Sequence, residues 1–428
     1  MKRTIRRRGV AGLACLLAVG AGATTAGAAA PAATWSQHGT ITADDAAPND
    51  NLGGDLVISS DGTTAIVGAD GKTVGANSQA GAVYVFVKSG ASWVKQAELT
   101  ASDGAANDAF GSSVSTTKDG STVVIGAPGK TVAGKTGAGA AYVFARKGIV
   151  WTQKKELQGA PAGRGNAFGT HVAINGSGSV IGVAAPLKTV TGHRRAGAVY
   201  VFKGRGAAWT QAAMLTLADP AANDYFGWAI AAKETQVLAS SPFHPNPSGS
   251  SGAVYSFDDP GTGYVQKAVL SAPDGQLNDN FGWSLDVSVA TMVVGARNHL
   301  GPHGTGAAYV FTHSDTTGIW KYRTELVPPD GSAGGAFGES IAIADTTVVI
   351  GDPFHDVGAN ASQGVAYVFS GAAATWAQQD EITATDAGAL TEFGQAVAAS
   401  ATTIMVGEPS HAVDTITGAG VVDFFESP

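Results

Sequence analysis

Cysteine is all but missing from this chain. Cys15 is the only one in 428 residues, so no internal disulfide can stabilise the fold. Charge is sparse, at 14% Asp, Glu, Lys and Arg, and the balance is acidic, with 26 basic residues against 34 acidic ones. A nucleic-acid partner is excluded on that count, because phosphates demand clustered Lys and Arg. Beyond the first 28 residues no apolar run is long enough to span a bilayer as a helix. Catalytic signatures are lacking as well: there is no Gly-x-Ser-x-Gly, no His-Glu-x-x-His, no P-loop and no sialidase-type Asp-box. None of these motifs calls for a cofactor or a metal.

Residues 1–28 have the composition of a signal peptide. Lys2, Arg3, Arg6, Arg7 and Arg8 precede a Gly/Ala/Leu stretch that ends at the small-residue site Ala26-Gly27-Ala28. The arginine run fits twin-arginine export loosely, and general secretion fits comparably. Cys15 lies inside this segment, and its removal with the five basic residues takes the formal net charge from −8 to about −13. The expected product is a secreted or cell-surface chain, residues 29–428, without cysteine.

What remains is one pattern written seven times. Aromatic residues recur at Trp35, Trp93, Trp151, Trp209, Tyr264, Trp320 and Trp376, at intervals of 55 to 58 residues. After each comes an Asp/Asn-rich turn, then Phe-Gly, a short apolar run ending near Gly-Ala-Pro, a variable loop, and Gly-Ala-x-Tyr-Val-Phe. The second copy is the clearest, with Phe110-Gly111, Gly126-Ala127-Pro128 and Gly139-Ala140-Ala141-Tyr142-Val143-Phe144. Leu52-Gly53 is the degenerate first copy of the Phe-Gly pair. Short strands repeated at this period predict an all-β, single seven-bladed propeller of four-stranded antiparallel blades. The first copy opens with a strand that the last copy lacks. Residues 35–41 are therefore expected to close the ring as the outermost strand of the last blade, beside Gly420–Phe425.

The Phe-Gly and Gly-Ala-Pro signals resemble the FG-GAP repeat family, the module that builds the propeller of integrin α subunits and of many bacterial secreted proteins. The resemblance covers essentially the whole of residues 29–428 and implies a binding module. Integrin-type repeats also carry an Asp-x-Asp-x-Asp-Gly calcium loop between the two signals. Here that stretch, Ser112 to Ile125, has only Asp119, so calcium is not expected in those hairpins, since the ion needs several converging oxygens.

Three sets of residues stand out. The aromatics at the outer-strand starts repeat at one position, which argues for packing rather than ligand stacking. Four residues past the first position of the Gly-Ala-Pro slot stand Lys72, Lys130 and Lys188 in blades one to three, and His244, His299, His355 and His411 in blades four to seven. The Asp-rich turns, including Asp45, Asp50, Asp103, Asp108, Asp219, Asp224, Asp274, Asp279, Asp330 and Asp386, share that end of the propeller. The Lys/His set therefore reads either as interblade contacts to Asp that hold adjacent loops or as a ligand-binding, pH-sensitive or metal-binding ring. Finally, Trp228 and Trp283 follow Phe-Gly in blades four and five alone, where other blades have Gly54, Ser112, Thr170, Glu339 or Gln395. At the start of inner strands they are expected at the channel mouth.

These features point to a monomeric, non-enzymatic module that presents its rim to an extracellular protein or glycan, with Trp228, Trp283, His244 and His299 at the centre. An extracellular carbohydrate-active hydrolase or lyase working at the channel mouth, and a structural module of an envelope assembly, are the competing readings.

Overall fold

A computed structural model describes residues 35–245, 251–301, 304–314, 318–329, 334–386 and 388–427. The signal-peptide reading of residues 1–28 and the turn residue Asp330 lie outside the described residues. Within them are seven four-stranded antiparallel sheets, arranged in a ring as the blades of a propeller. Blade two shows the plan: Val114–Thr116 innermost, then Thr122–Ala127, Ala140–Lys147 and, at the outer edge, Val150–Leu157. The middle strands are buried on both faces, because each sheet is sandwiched between two others. Outer strands alternate, as an edge facing water should.

The inner strand of blade two begins at Val114 rather than at the Phe110-Gly111 pair. The reason is a crossing. Phe110 donates its N–H to Ala80 of the preceding blade, and only after Gly111 does the chain turn into its own sheet. The same crossing recurs where Phe168 bonds Ala138 and Phe226 bonds Ala196. Where the chains cross, only hydrogen fits. A Cβ on Gly126 would overlap the carbonyl oxygen of Gly169, and one on Gly139 would overlap Phe168. The glycines of the repeated pattern are thus the points where one blade's backbone lies on the next.

Seven apolar clusters fill the seven blade interfaces. Between blades one and two, Phe110 packs edge-on against Tyr142 and Phe144, with ring centroids 5.5 and 6.0 Å away, and Ile66, Val83 and Val85 of blade one cover them. Each recurring outer-strand aromatic joins a different cluster, from Trp93 in the first to Trp35 in the last. The packing reading of these residues holds.

Closure follows the expected offset. Ser36–Ile41 pairs antiparallel with Val421–Glu426, with Ile41 opposite Val422 and Thr40 opposite Asp423. Gln37 and Thr40 both bond Asp423 Oδ1, and the Trp35 N–H bonds Asp380 of blade six at 2.7 Å. Asp423 stands where the other blades carry the Tyr of Gly-Ala-x-Tyr-Val-Phe. It is fully buried beside Glu408, which is also fully buried. Burial and the Glu408 carboxyl push Asp423 up to about 8, so Asp423 keeps its proton at neutral pH.

Two expectations follow. Gly126→Ala should cost about 3 kcal/mol or more, because backbone cannot retreat as a side chain can. Gly134→Ala, at a positive φ but with open space around it, should cost about 1 kcal/mol; equal losses in denaturant melts would contradict the crossing argument. For Asp423 the folded pKa lies above its ordinary value, so its contribution is complete at acid pH and is lost as pH rises through about 8. Asp423→Asn keeps an acceptor for Gln37 and Thr40 without the charge, and should flatten the fall in melting temperature between about pH 4 and pH 8. An unchanged slope would mean that Asp423 is already ionised in the folded protein at neutral pH.

Candidate functional site

The Lys/His positions and the acidic turns do meet at one end of the ring. Lys72 Nζ lies 2.9 Å from Asp45 and 3.3 Å from Asp50, and Lys130 Nζ lies 3.0 Å from Asp103 and 3.2 Å from Asp108. Burial opposes the charge of each ammonium, yet the paired carboxylates outweigh it and hold both pKa values above the ordinary one. Tyr84 and Tyr142 complete the group by donating their hydroxyls to Asp45 and Asp103. These contacts tie the connector entering a blade to the loop between its second and third strands.

The histidines vary the theme. His244 Nδ1 lies 3.0 Å from Asp224 and His299 Nδ1 lies 2.8 Å from Asp279, both on connectors. The hydrogen-bonding Asp224 carboxylate holds the His244 imidazole above its ordinary pKa. His355 and His411 instead face acids of their own loops, Asp352 at 3.6 Å and Glu408 at 3.0 Å. Lys188 departs most. Its blade has Pro161 and Asn166 in the turn, so no carboxylate meets the ammonium, which lies 5.9 Å from the Tyr200 ring and is lowered in pKa by burial. Six of the seven are thus turned into ion contacts within the blades rather than toward the channel.

Trp228 and Trp283 behave differently. Their rings are 4.7 Å apart and tilted by 49°, half-buried, and both line the central channel, a cavity of about 700 Å³. Around them the structure gathers residues that the repeat pattern did not single out. Phe243, 38% exposed, packs edge-on at 5.6 Å from Trp228 and 6.2 Å from Trp283. Tyr225 closes the group at 5.3 Å from Phe243, and Arg195 bonds the Tyr225 hydroxyl at 3.2 Å. The Arg297 guanidinium lies 3.4 Å from the Trp283 ring centre and bonds Glu339 of blade six at 2.7 Å.

Phe243 reaches this place because the second strands of blades four and five run on, as Gln236–Pro245 and Thr291–Gly301, where other blades turn away. A signal for Arg297 was present: it replaces the Pro of Gly-Ala-Pro in blade five alone, apart from Asp70 in blade one. A face of four aromatic rings edged by Arg and Glu can stack a flat apolar surface and bond polar groups at its rim.

The channel wall carries three groups with displaced pKa values. Burial in the narrow bore pushes Asp55 and Asp286 up to about 6 and His171 down to about 4. Both carboxylates accept a backbone N–H from the next blade, Val114 for Asp55 at 2.7 Å and Ile343 for Asp286 at 2.9 Å. Ser113 does the same for Val172 at 3.1 Å. These are clasps between inner strands. The single Asp of the blade-two hairpin is likewise occupied: Asp119 accepts bonds from Thr117 and from the Ser121 N–H, which closes the turn.

The clamps make a measurable contrast. Lys130→Met should cost about 3 kcal/mol, since it strands the buried Asp108, while Lys188→Met should leave the melting temperature unchanged or raise it. Equal losses would show that the lysines act by packing alone.

The family model described as FG-GAP repeat matches residues 35–86, 93–144, 209–257, 264–311, 320–369 and 376–420. No curated protein matches the chain. The unmatched stretch between the second and third matches is blade three, a four-stranded sheet like the rest. It is the blade whose turn lacks acid and whose slot reads Ala184-Ala185-Pro186.

Proposed function

As this chain belongs to the FG-GAP repeat family, we propose that it is a secreted, non-enzymatic binding propeller whose channel mouth between blades four and five receives an extracellular glycan or protein segment. The observation that carries this reading is the break in symmetry at Trp228, Trp283, Phe243 and Tyr225. Elsewhere the repeated aromatics are buried in the blade interfaces; here four rings gather on one another where blades four and five meet, and two of them, Trp228 and Trp283, line the channel. Such faces give large contact area at small entropic cost. Arg297 and Glu339 supply direction, and the buried Lys/His contacts hold the connectors that carry the rim.

Export fits the amino-terminal composition and the absence of cysteine beyond it. Among the described residues no helix is long and apolar enough to cross a membrane. A hydrolase or lyase at the same mouth would need an acid/base pair free to exchange protons with substrate. Asp55 and Asp286, the channel carboxyls with displaced pKa values, are engaged to backbone amides instead.

A glycan array combined with capture from envelope extract identifies the ligand. Trp228→Ala with Trp283→Ala should then weaken binding by about 100-fold or more, as loss of a central aromatic anchor does, and leave the melting temperature within a few degrees. A folded double variant that binds normally would move the site to the variable loops elsewhere on the rim.

A further inference from the structure

Blade five repeats the clamp of blades one and two with one part exchanged. In blades one and two a lysine ammonium sits between two carboxylates, Asp45 and Asp50 around Lys72, and Asp103 and Asp108 around Lys130, and the outer strand of each blade carries a glutamate, Glu98 and Glu156. The two glutamates are cross-strand partners of Tyr84 and Tyr142. Blade five has the same acids, Asp274, Asp279 and Glu325, with Glu325 opposite Tyr309. The base is His299.

The imidazole meets Asp279 Oδ2 through Nδ1 at 2.8 Å, and its Nε2 then faces Glu325 Oε1 at 3.5 Å. With the Nδ1 proton donated to Asp279, Nε2 presents a lone pair to a carboxylate oxygen. That oxygen is buried and accepts no hydrogen bond. Two acceptors held face to face repel unless a proton or a metal cation stands between them. Ligand atoms of Asp274, His299 and Glu325 all lie within 4.8 Å of one another, and Tyr309 donates to the far oxygen of Asp274 at 2.9 Å.

We propose that blade five binds one divalent transition-metal ion of the zinc class through His299 Nε2, Asp274 and Glu325. The ion takes the place that the lysine ammonium holds in blades one and two. One imidazole and two carboxylates form a borderline donor set suited to zinc and too poor in oxygen for calcium. Asp279 on Nδ1 and Tyr309 on Asp274 are the outer partners that fix ligand orientation in such sites. The exposed side of Asp274 leaves the remaining position to water. Blades four and seven lack the donor set, since the partner of Tyr255 in blade four is Val269 and blade seven has Thr40 opposite Asp423; blade six keeps a glutamate, Glu381 opposite Tyr367, but its connector residue Asp330 lies outside the described residues. The site is separate from the aromatic mouth, though the ion would anchor the hairpin that carries Arg297.

The untagged protein, stripped of metal and freed of chelator, is titrated with Zn²⁺, Co²⁺ and Ca²⁺ by calorimetry, Co²⁺ absorption and thermal melting. One ion of Zn²⁺ or Co²⁺ should bind per chain, with an intense visible Co²⁺ band and a rise in melting temperature that grows with free metal, while Ca²⁺ produces neither. Glu325→Gln should weaken binding at least tenfold. His299→Lys rebuilds the arrangement of blades one and two, so it should bind no ion and melt at or above the metal-free protein. The proposal is overturned if the wild-type chain binds neither metal, or if His299→Lys and Glu325→Gln both bind as tightly as wild type. Stabilisation of wild type only by acidification, with no metal response, would also overturn it, since a protonated His299 would then be the cation.

Discussion

Everything in this propeller depends on how closely one blade's backbone can lie on the next. At each interface the incoming Phe-Gly segment crosses the start of the preceding blade's third strand and bonds to it, as Phe168 does to Ala138. That approach leaves no room for a Cβ at Gly126 or Gly139. Once the crossing is made, the aromatic ring before the glycine is delivered into the interface, where it meets the Tyr and Phe of its own third strand. The glycines set the distance and the aromatics fill it. Backbone strain, packing and connectivity thus share one repeated element, which is why its spacing is kept so closely along the chain.

A ring built this way has one seam. Here it is closed by a strand from the amino-terminal end of the fold, tied by polar side chains to Asp423 in a position that every other blade gives to tyrosine. Replacing a ring with a buried acid trades apolar contact for specificity, because the acid bonds only the strand that carries Gln37 and Thr40. The exchange leaves a proton-dependent element in the blade that joins the two ends.

Fold and ring closure were legible in the sequence because both follow from periodicity: the seven outer-strand aromatics, the six Phe-Gly pairs with Leu52-Gly53 as the first copy, and the unmatched strand at residues 35–41. The meeting of Lys72, Lys130, His244 and His299 with acidic connectors was legible too, since both sets fall at one end of the inner hairpins. The aromatic mouth was only half visible. Trp228 and Trp283 broke the pattern openly, but Phe243 and Arg297 reach them through strands that extend past the point where the other blades turn, and no local propensity announces that extension. Glu325 was hidden for another reason. It looks like the ordinary polar residue of an exposed edge strand, as Glu98 and Glu156 do, until pairing with Tyr309 turns it toward His299.

A symmetric scaffold carries one local asymmetry, the proposed binding face. Oxidative footprinting of the protein with and without its captured ligand tests that assignment most directly, because eight tryptophans are spread around the ring. The predicted result is protection confined to Trp228, Trp283 and the neighbouring Phe243 and Tyr225, with Trp93, Trp151 and Trp376 unchanged. Protection at the outer-strand tryptophans, or none at Trp228 and Trp283, would contradict it.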